Sequence, residues 1–183
     1  YGLEGWGQIS LLKATASSVN TVFVPLGIKV GPDNVVDAAR RAGIPENVAM
    51  IATPSVVLGV ASPHVIDVAN SYATFAAQGV YSKPYMVAQV TGPNKGVLYQ
   101  GKPQTQEVFS KEVMADLTYA LKSVVTGGTG AAALGLGRPA AGKTGTSQSN
   151  ASAWFAGYTP QLSATVALFR DSASESLNGI GGL

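Results

Sequence analysis

Lys143-Thr144-Gly145-Thr146, followed by Ala153-Trp154-Phe155-Ala156-Gly157-Tyr158-Thr159-Pro160, decides how this chain is read. Between the two runs lie Ser147-Gln148-Ser149-Asn150, which is turn chemistry. Two strands joined by a turn are therefore predicted, one around Lys143 to Thr146 and one from Ala153 to Tyr158. Leu162 to Phe169 predicts a third strand, and its short link to the second implies an antiparallel pair. A strand with this content suits a ligand that ends in a free carboxylate. Lys143 supplies a cation, Thr144 and Thr146 supply hydroxyl donors, and Gly145, lacking a Cβ, lets a ligand backbone lie against the strand as an added strand.

The same stretch matches a different motif. Gly137-Arg138-Pro139-Ala140-Ala141-Gly142-Lys143-Thr144 fits the phosphate-loop pattern G-x-x-x-x-G-K-[ST]. A phosphate loop has to open an amphipathic helix whose N-terminus faces the phosphates. Turn residues and an aromatic strand follow Thr144 instead, so nucleotide binding is rejected. Leu168-Phe169-Arg170-Asp171 is likewise read as a strand running into a polar loop, not as a magnesium-binding strand end.

Far upstream stands Ser18-Val19-Asn20. A Lys-Thr-Gly triplet entering a strand, paired with a distant Ser-x-Asn, resembles the third and second motifs of the active-site-serine penicillin-recognising enzymes. The Trp-Phe-x-Gly-Tyr-Thr-Pro run resembles the transpeptidase domain of class A, bifunctional penicillin-binding proteins. So do Ala61-Ser62-Pro63 to Gly79, Val80-Tyr81-Ser82-Lys83-Pro84-Tyr85 and Gly128-Thr129-Gly130, and the likeness covers essentially the whole chain. It implies an α+β fold of the serine β-lactamase/D,D-transpeptidase type, helices packed on an antiparallel sheet in an α-β-α sandwich. It also implies acyl transfer from D-Ala-D-Ala stem peptides, with β-lactams as inhibitors and no cofactor or metal.

The resemblance further implies a role for each residue of the site. Lys143 and the hydroxyls of Thr144 and Thr146 would hold the terminal carboxylate, with Gly145 between them. The Thr146 N–H would form half of an oxyanion hole. Ser18 would relay a proton to the leaving amine, and the Asn20 amide would hold a peptide carbonyl. Ser18 and Lys143 are therefore expected within hydrogen-bond reach of each other, with Asn20 opening on the same cleft. The Ser-x-x-Lys that carries the family's nucleophile is not in its expected place. Ser10-Leu11-Leu12-Lys13 is the only such match, but it lies immediately before Ser18 and is read as a helix-start serine with a surface lysine. The chain is thus expected to be a fragment, cut before the nucleophile helix and, at Gly181-Gly182-Leu183, before a C-terminal helix that covers the sheet. The fragment alone is expected to be inactive, with a long apolar groove between its helices and its sheet.

Composition agrees with an incomplete unit. Only 12% of the 183 residues are charged, against about 25% in a typical soluble domain. A net charge of +2 gives no argument for nucleic acid. There is no cysteine and one histidine, His64, which excludes disulfide frameworks and the common structural zinc sites; His64 itself is read as solvated. No apolar run reaches the roughly 18 residues of a membrane span, and the opening Tyr1-Gly2-Leu3-Glu4 lacks a signal peptide's pattern. An extracytoplasmic location, with membrane contact only through an N-terminal anchor absent from this chain, is implied by the family alone.

Helices are predicted from Leu11 to Ala16, from Asn20 to Val30, and from Pro32 to Arg41, the last closed by Gly43. Another starts with Ser62 as N-cap and Pro63 at its first position, its core stripe formed by Val65, Ala69, Tyr72, Ala73 and Ala76. Tyr72 and Phe75 are read as core and not as ligand-stacking residues. Tyr85 to Val90 and Val97 to Tyr99 predict a hairpin. A helix capped by Ser110, with Phe109 and Met114 as a staple and Val113, Leu117, Leu121 and Val124 inward, ends at Gly127-Gly128-Thr129-Gly130. A single domain spanning 1–183 is the economical count. Three alternatives stay open: a serine β-lactamase, a class B penicillin-binding protein, and a non-catalytic β-lactam or stem-peptide binder.

Overall fold

The computed structural model describes residues 5–172 and 175–180; the terminal runs Tyr1-Gly2-Leu3-Glu4 and Gly181-Gly182-Leu183 lie outside them. Five α-helices and seven strands are described: α1 (Leu11–Ala16), α2 (Asn20–Val30), α3 (Pro32–Ala42), α4 (Val65–Ala76), β1 (Val80–Ser82), β2 (Gln89–Thr91), β3 (Val97–Gln100), β4 (Thr105–Glu107), α5 (Lys111–Gly127), β5 (Ala141–Thr146), β6 (Ser152–Thr159) and β7 (Leu162–Phe169). The three strands read from the sequence form one antiparallel sheet in the order β5-β6-β7, which leaves β5 at an edge. The hairpin β2–β3 also forms, although its first strand begins only at Gln89. The pair β1–β4 was not legible, because Thr105-Gln106-Glu107 is polar throughout and meets its partner from a distance in the chain.

Helices α4 and α5 pack on the sheet. Leu121, Ala141 and Tyr158 form a buried cluster onto which Tyr72, Phe75, Ala76 and Leu117 close. Ser163, opposite Tyr158, donates from its hydroxyl to the Ala69 carbonyl at 2.7 Å and fastens the third strand to α4. Burial pushes the Tyr72 hydroxyl pKa up to about 12, with Tyr158 nearby adding to the shift. Cross-strand neighbours share a face, so the row Lys143–Ala156–Thr165 lies on the helix side of the sheet, next to Ala141–Tyr158–Ser163. On the opposite face the Phe155 ring lies across Gly142 and Gly157. A Cβ at either glycine would come within 2.8 Å of it, so both glycines exist as room for the ring.

Two expectations are corrected. Helix α4 starts two residues later than Ser62-Pro63 suggests. His64 is its N-cap, and the Asp67 carboxylate accepts the His64 N–H at 3.1 Å, a tie that outweighs the preference of proline for the first turn. In α5 Ser110 does cap, accepting from the Val113 N–H. Val113 itself is exposed, and Met114, Leu121, Val124 and Val125 are buried on a helix that packs against α1 and β5. Helices α4 and α5 fill the Ala141 end of the helix side of the sheet, while Gly145 and Thr146 at the other end of β5 are exposed.

Apolar surface remains exposed elsewhere, at Leu162, Val166 and Leu168 on the far face of the sheet and at Tyr85, Met86, Leu98 and Tyr99 around the hairpin. A compact monomer of this mass exposes about 8,200 Å2; this chain exposes 12074 Å2.

Candidate active site

The site assembles at the free edge of β5. Ser18 sits in the turn between α1 and α2, where the Ser18 N–H donates to the Thr15 carbonyl at 3.2 Å and the Val19 N–H to the Ala14 carbonyl at 3.0 Å. Val19 is buried and pins the turn, while Asn20 begins α2 and is exposed. Ser18 takes φ of 54°, the left-handed region that a residue with a Cβ occupies at a cost of about 1–2 kcal/mol. That conformation presents its hydroxyl to Lys143. The Lys143 ammonium donates to Ser18 Oγ at 2.8 Å and to the Thr144 carbonyl at 2.9 Å, joining residues 125 apart in sequence. An ammonium has three donors. Two are used among the described residues, and the third is available to a ligand. Burial lowers the Lys143 pKa below its ordinary 10.5, because the charged form has lost part of its hydration.

Strand alternation sets the direction of the backbone. The Ser147 N–H donates to the Ser152 carbonyl at 3.0 Å, which makes 147 and 152 a hydrogen-bonded pair. In an antiparallel ladder such pairs alternate with open ones. With Lys143 opposite Ala156 and Thr146 opposite Ala153, the backbone groups of Lys143 and Gly145 face β6, and those of Thr144 and Thr146 face the unpaired edge. An extended chain laid along this edge meets the Thr146 N–H as a donor. Next to it the Thr144 hydroxyl lies 2.6 Å from that of Thr129. The structure thus brings together Ser18, Lys143 and Thr144; Gly145 and Thr146 continue the same edge, and Asn20 lies two residues from Ser18.

Thr129 was missed by sequence reasoning. It stands in Gly127-Gly128-Thr129-Gly130, which reads as a helix end and carries part of the resemblance, with no role given to the threonine itself. A threonine within a glycine run that closes on the site strand was the available signal.

The two competing motifs do not assemble. Ser10 is the N-cap of α1 and accepts from the Lys13 N–H at 3.2 Å, while the Lys13 ammonium lies 6.0 Å from the centre of the Trp6 ring. Lys143 and Thr144 of the phosphate-loop match sit inside a strand that is followed by a single 3-10 turn, Gln148–Asn150, and a second strand, and not by an α-helix. Among the described residues no cluster of three or more metal-binding side chains occurs. A cavity of about 480 Å3 between the end of α3 and the β1–β4 pair is lined by Arg40, Arg41, Tyr81 and Glu107. Arg40 there is engaged by the Ile44, Pro45 and Val48 carbonyls and by Glu46, as a clamp on its own loop.

Residues 1–172 match the penicillin binding protein transpeptidase domain. The chain belongs to that family. It is 35% identical to penicillin-binding protein 1A of Mycolicibacterium smegmatis over 89% of its own length, and it spans 23% of that relative. Among solved structures it is similar to the PonA1 protein of Mycobacterium tuberculosis in complex with penicillin V, with 32% identity and a TM-score of 0.81 over 95% of this chain and 51% of the other. Penicillin-binding protein 1A of Haemophilus influenzae superimposes with a TM-score of 0.86 over 99% of this chain and 35% of the other, at 20% identity, and shares the fold. The fold class is the α+β class of these transpeptidase domains, and the relatives, penicillin-binding proteins 1A and 1B, are of the class A group of the resemblance. No helix among the described residues is long and apolar enough to cross a membrane.

Proposed function

We propose that residues 1–183 are part of one D,D-transpeptidase domain. It transfers the acyl group of a D-Ala-D-Ala stem peptide in peptidoglycan cross-linking, outside the cytoplasm, and its nucleophilic serine comes from a part of the protein outside this chain. The serine oxygen attacks the penultimate D-Ala carbonyl, the bond to the terminal D-Ala nitrogen breaks, and the acyl-enzyme is then taken by the amine of a second stem peptide. Lys143, with the hydroxyls of Thr144 and Thr146, holds the terminal carboxylate. The edge-facing Thr146 N–H donates to the oxyanion; a single preset donor of this kind is worth about 3–4 kcal/mol. Ser18, polarised by the Lys143 ammonium, passes a proton to the departing amine, and the Asn20 amide holds the peptide carbonyl.

The observation that carries this reading is the 2.8 Å contact between Lys143 Nζ and Ser18 Oγ. A cation and a hydroxyl meeting beside an open strand edge support the assignment of these roles. The test is labelling with a fluorescent penicillin. The full-length protein is expected to label stoichiometrically at a serine outside residues 1–183, and the 183-residue chain alone is expected not to label. Label on Ser10, or none on the full-length protein, overturns the reading; the latter outcome leaves a non-catalytic binder.

A further inference from the structure

The turn after α5 holds the two halves of the site together. The Thr129 N–H donates to the Ala16 carbonyl at 3.0 Å, two residues before Ser18. Gly128 lies so close to the same peptide that a Cβ there would stand 2.2 Å from the Ala16 oxygen. From the other side of Thr129, its hydroxyl meets the Thr144 hydroxyl at 2.6 Å, beside Lys143 on β5. One residue therefore grips the segment that carries Ser18 with its backbone and the strand that carries Lys143 with its side chain.

We propose that Thr129 is a positioning residue for the carboxylate cradle, through the direction of the Thr144 hydroxyl proton. A hydroxyl has one proton and two lone pairs. When Thr129 donates to Thr144 Oγ1, the Thr144 proton is free to point at a ligand oxygen, and a donor that is itself an acceptor becomes stronger through cooperative polarisation. Without Thr129 the Thr144 proton has other rotamers, and an anionic ligand has to select the productive one. The inference rests on the carboxylate-binding reading above, and its consequence is specific. Thr129 matters in proportion to the negative charge on the ligand, whereas a residue that only supports the turn affects every ligand alike.

The experiment measures acylation of the full-length protein by a penicillin and by its methyl ester, in Thr129→Val, Thr129→Ser, Thr144→Val and the double valine variant. Thr129→Val is expected to slow acylation by the free acid about tenfold, the scale of one hydrogen bond to a charged group, and acylation by the ester about twofold or less. Thr129→Ser restores the free-acid rate to within about twofold, and the double variant is no slower than Thr144→Val alone, since Thr129 acts only through Thr144. Equal losses on acid and ester, no loss, or no rescue by serine overturn the proposal while leaving the transpeptidase reading intact. A wild-type protein that neither compound acylates overturns that reading, and this inference with it.

Discussion

Lys143 and Ser18 meet at 2.8 Å, and no carboxylate among the described residues pairs with that ammonium. A half-buried cation held only by a hydroxyl and a peptide carbonyl keeps most of its field for a ligand. Its environment lowers its pKa for the same reason, through lost hydration.

The pH dependence of acylation follows. The carboxylate anchor needs the protonated amine, so the rate with a free-acid penicillin should fall on the alkaline side with an apparent pKa below 10.5, the ordinary lysine value. Lys143→Arg should move this limb above about pH 12 while lowering the plateau, since guanidinium keeps its charge but not the compact ammonium geometry. A limb that stays in place in Lys143→Arg would assign it to another group. Lys143→Ala should lower the plateau about 100-fold or more with little change in melting temperature. Retention of half the rate in a well-folded variant would rule out the role.

Stability carries two opposite alkaline signatures. The Lys143 pKa is lower in the fold than in the unfolded chain, so its charged form costs stability at lower pH, and that cost is relieved as pH rises through the folded pKa towards 10.5. Tyr72 is raised from 10.0 to about 12, so the stabilisation it contributes is whole below pH 10 and is lost between those values. Tyr72→Phe should therefore flatten the fall in stability above pH 10. Denaturant melts of the two proteins across that range measure it, and parallel curves would contradict the assignment.

Ser18 separates backbone strain from chemistry. Ser18→Ala and Ser18→Gly both remove the hydroxyl that Lys143 binds, and both should slow acylation alike. Only glycine accepts φ of 54° freely, so the glycine variant should be about 1 kcal/mol more stable than the alanine variant. Urea denaturation of the pair reads this difference directly, and equal midpoints would mean that the turn relaxes.

The isolated chain should associate. An exposed area of 12074 Å2 exceeds the figure for a compact monomer of its mass by more than one side of a standard interface, about 800 Å2. Sedimentation at rising concentration should show self-association that Leu162→Lys and Val166→Lys on the open sheet face reduce. A monodisperse monomer at about 100 μM would refute this.

Local chemistry accounts for what was legible in the sequence. Ser110 and Gly43 marked ends of helices because a hydroxyl that accepts from the first turn and a glycine at φ of 126° act within a few residues. The strands β5 to β7 were legible because turn residues and short links separate them. Val113 was misread because a helical stripe predicts which residues share a face, and not which neighbour arrives from that side; the start of α4 was misread because the His64–Asp67 tie outweighs the preference of Pro63 for the first turn.

Sequence alone determined the three strands β5, β6 and β7, the antiparallel pairing of the last two, and the Lys143 to Thr146 strand with its family, since each is written in adjacent residues. That Ser18 reaches Lys143 was expected only through the family resemblance and is made by the tertiary structure, which alone decided that the Thr144 and Thr146 backbone faces an unpaired edge and that Thr129 joins the two sides. Those relations are contacts across 125 and 15 residues. A hydrogen bond of such range depends on how α1, α5 and β5 pack, and no local pattern of residues encodes that packing.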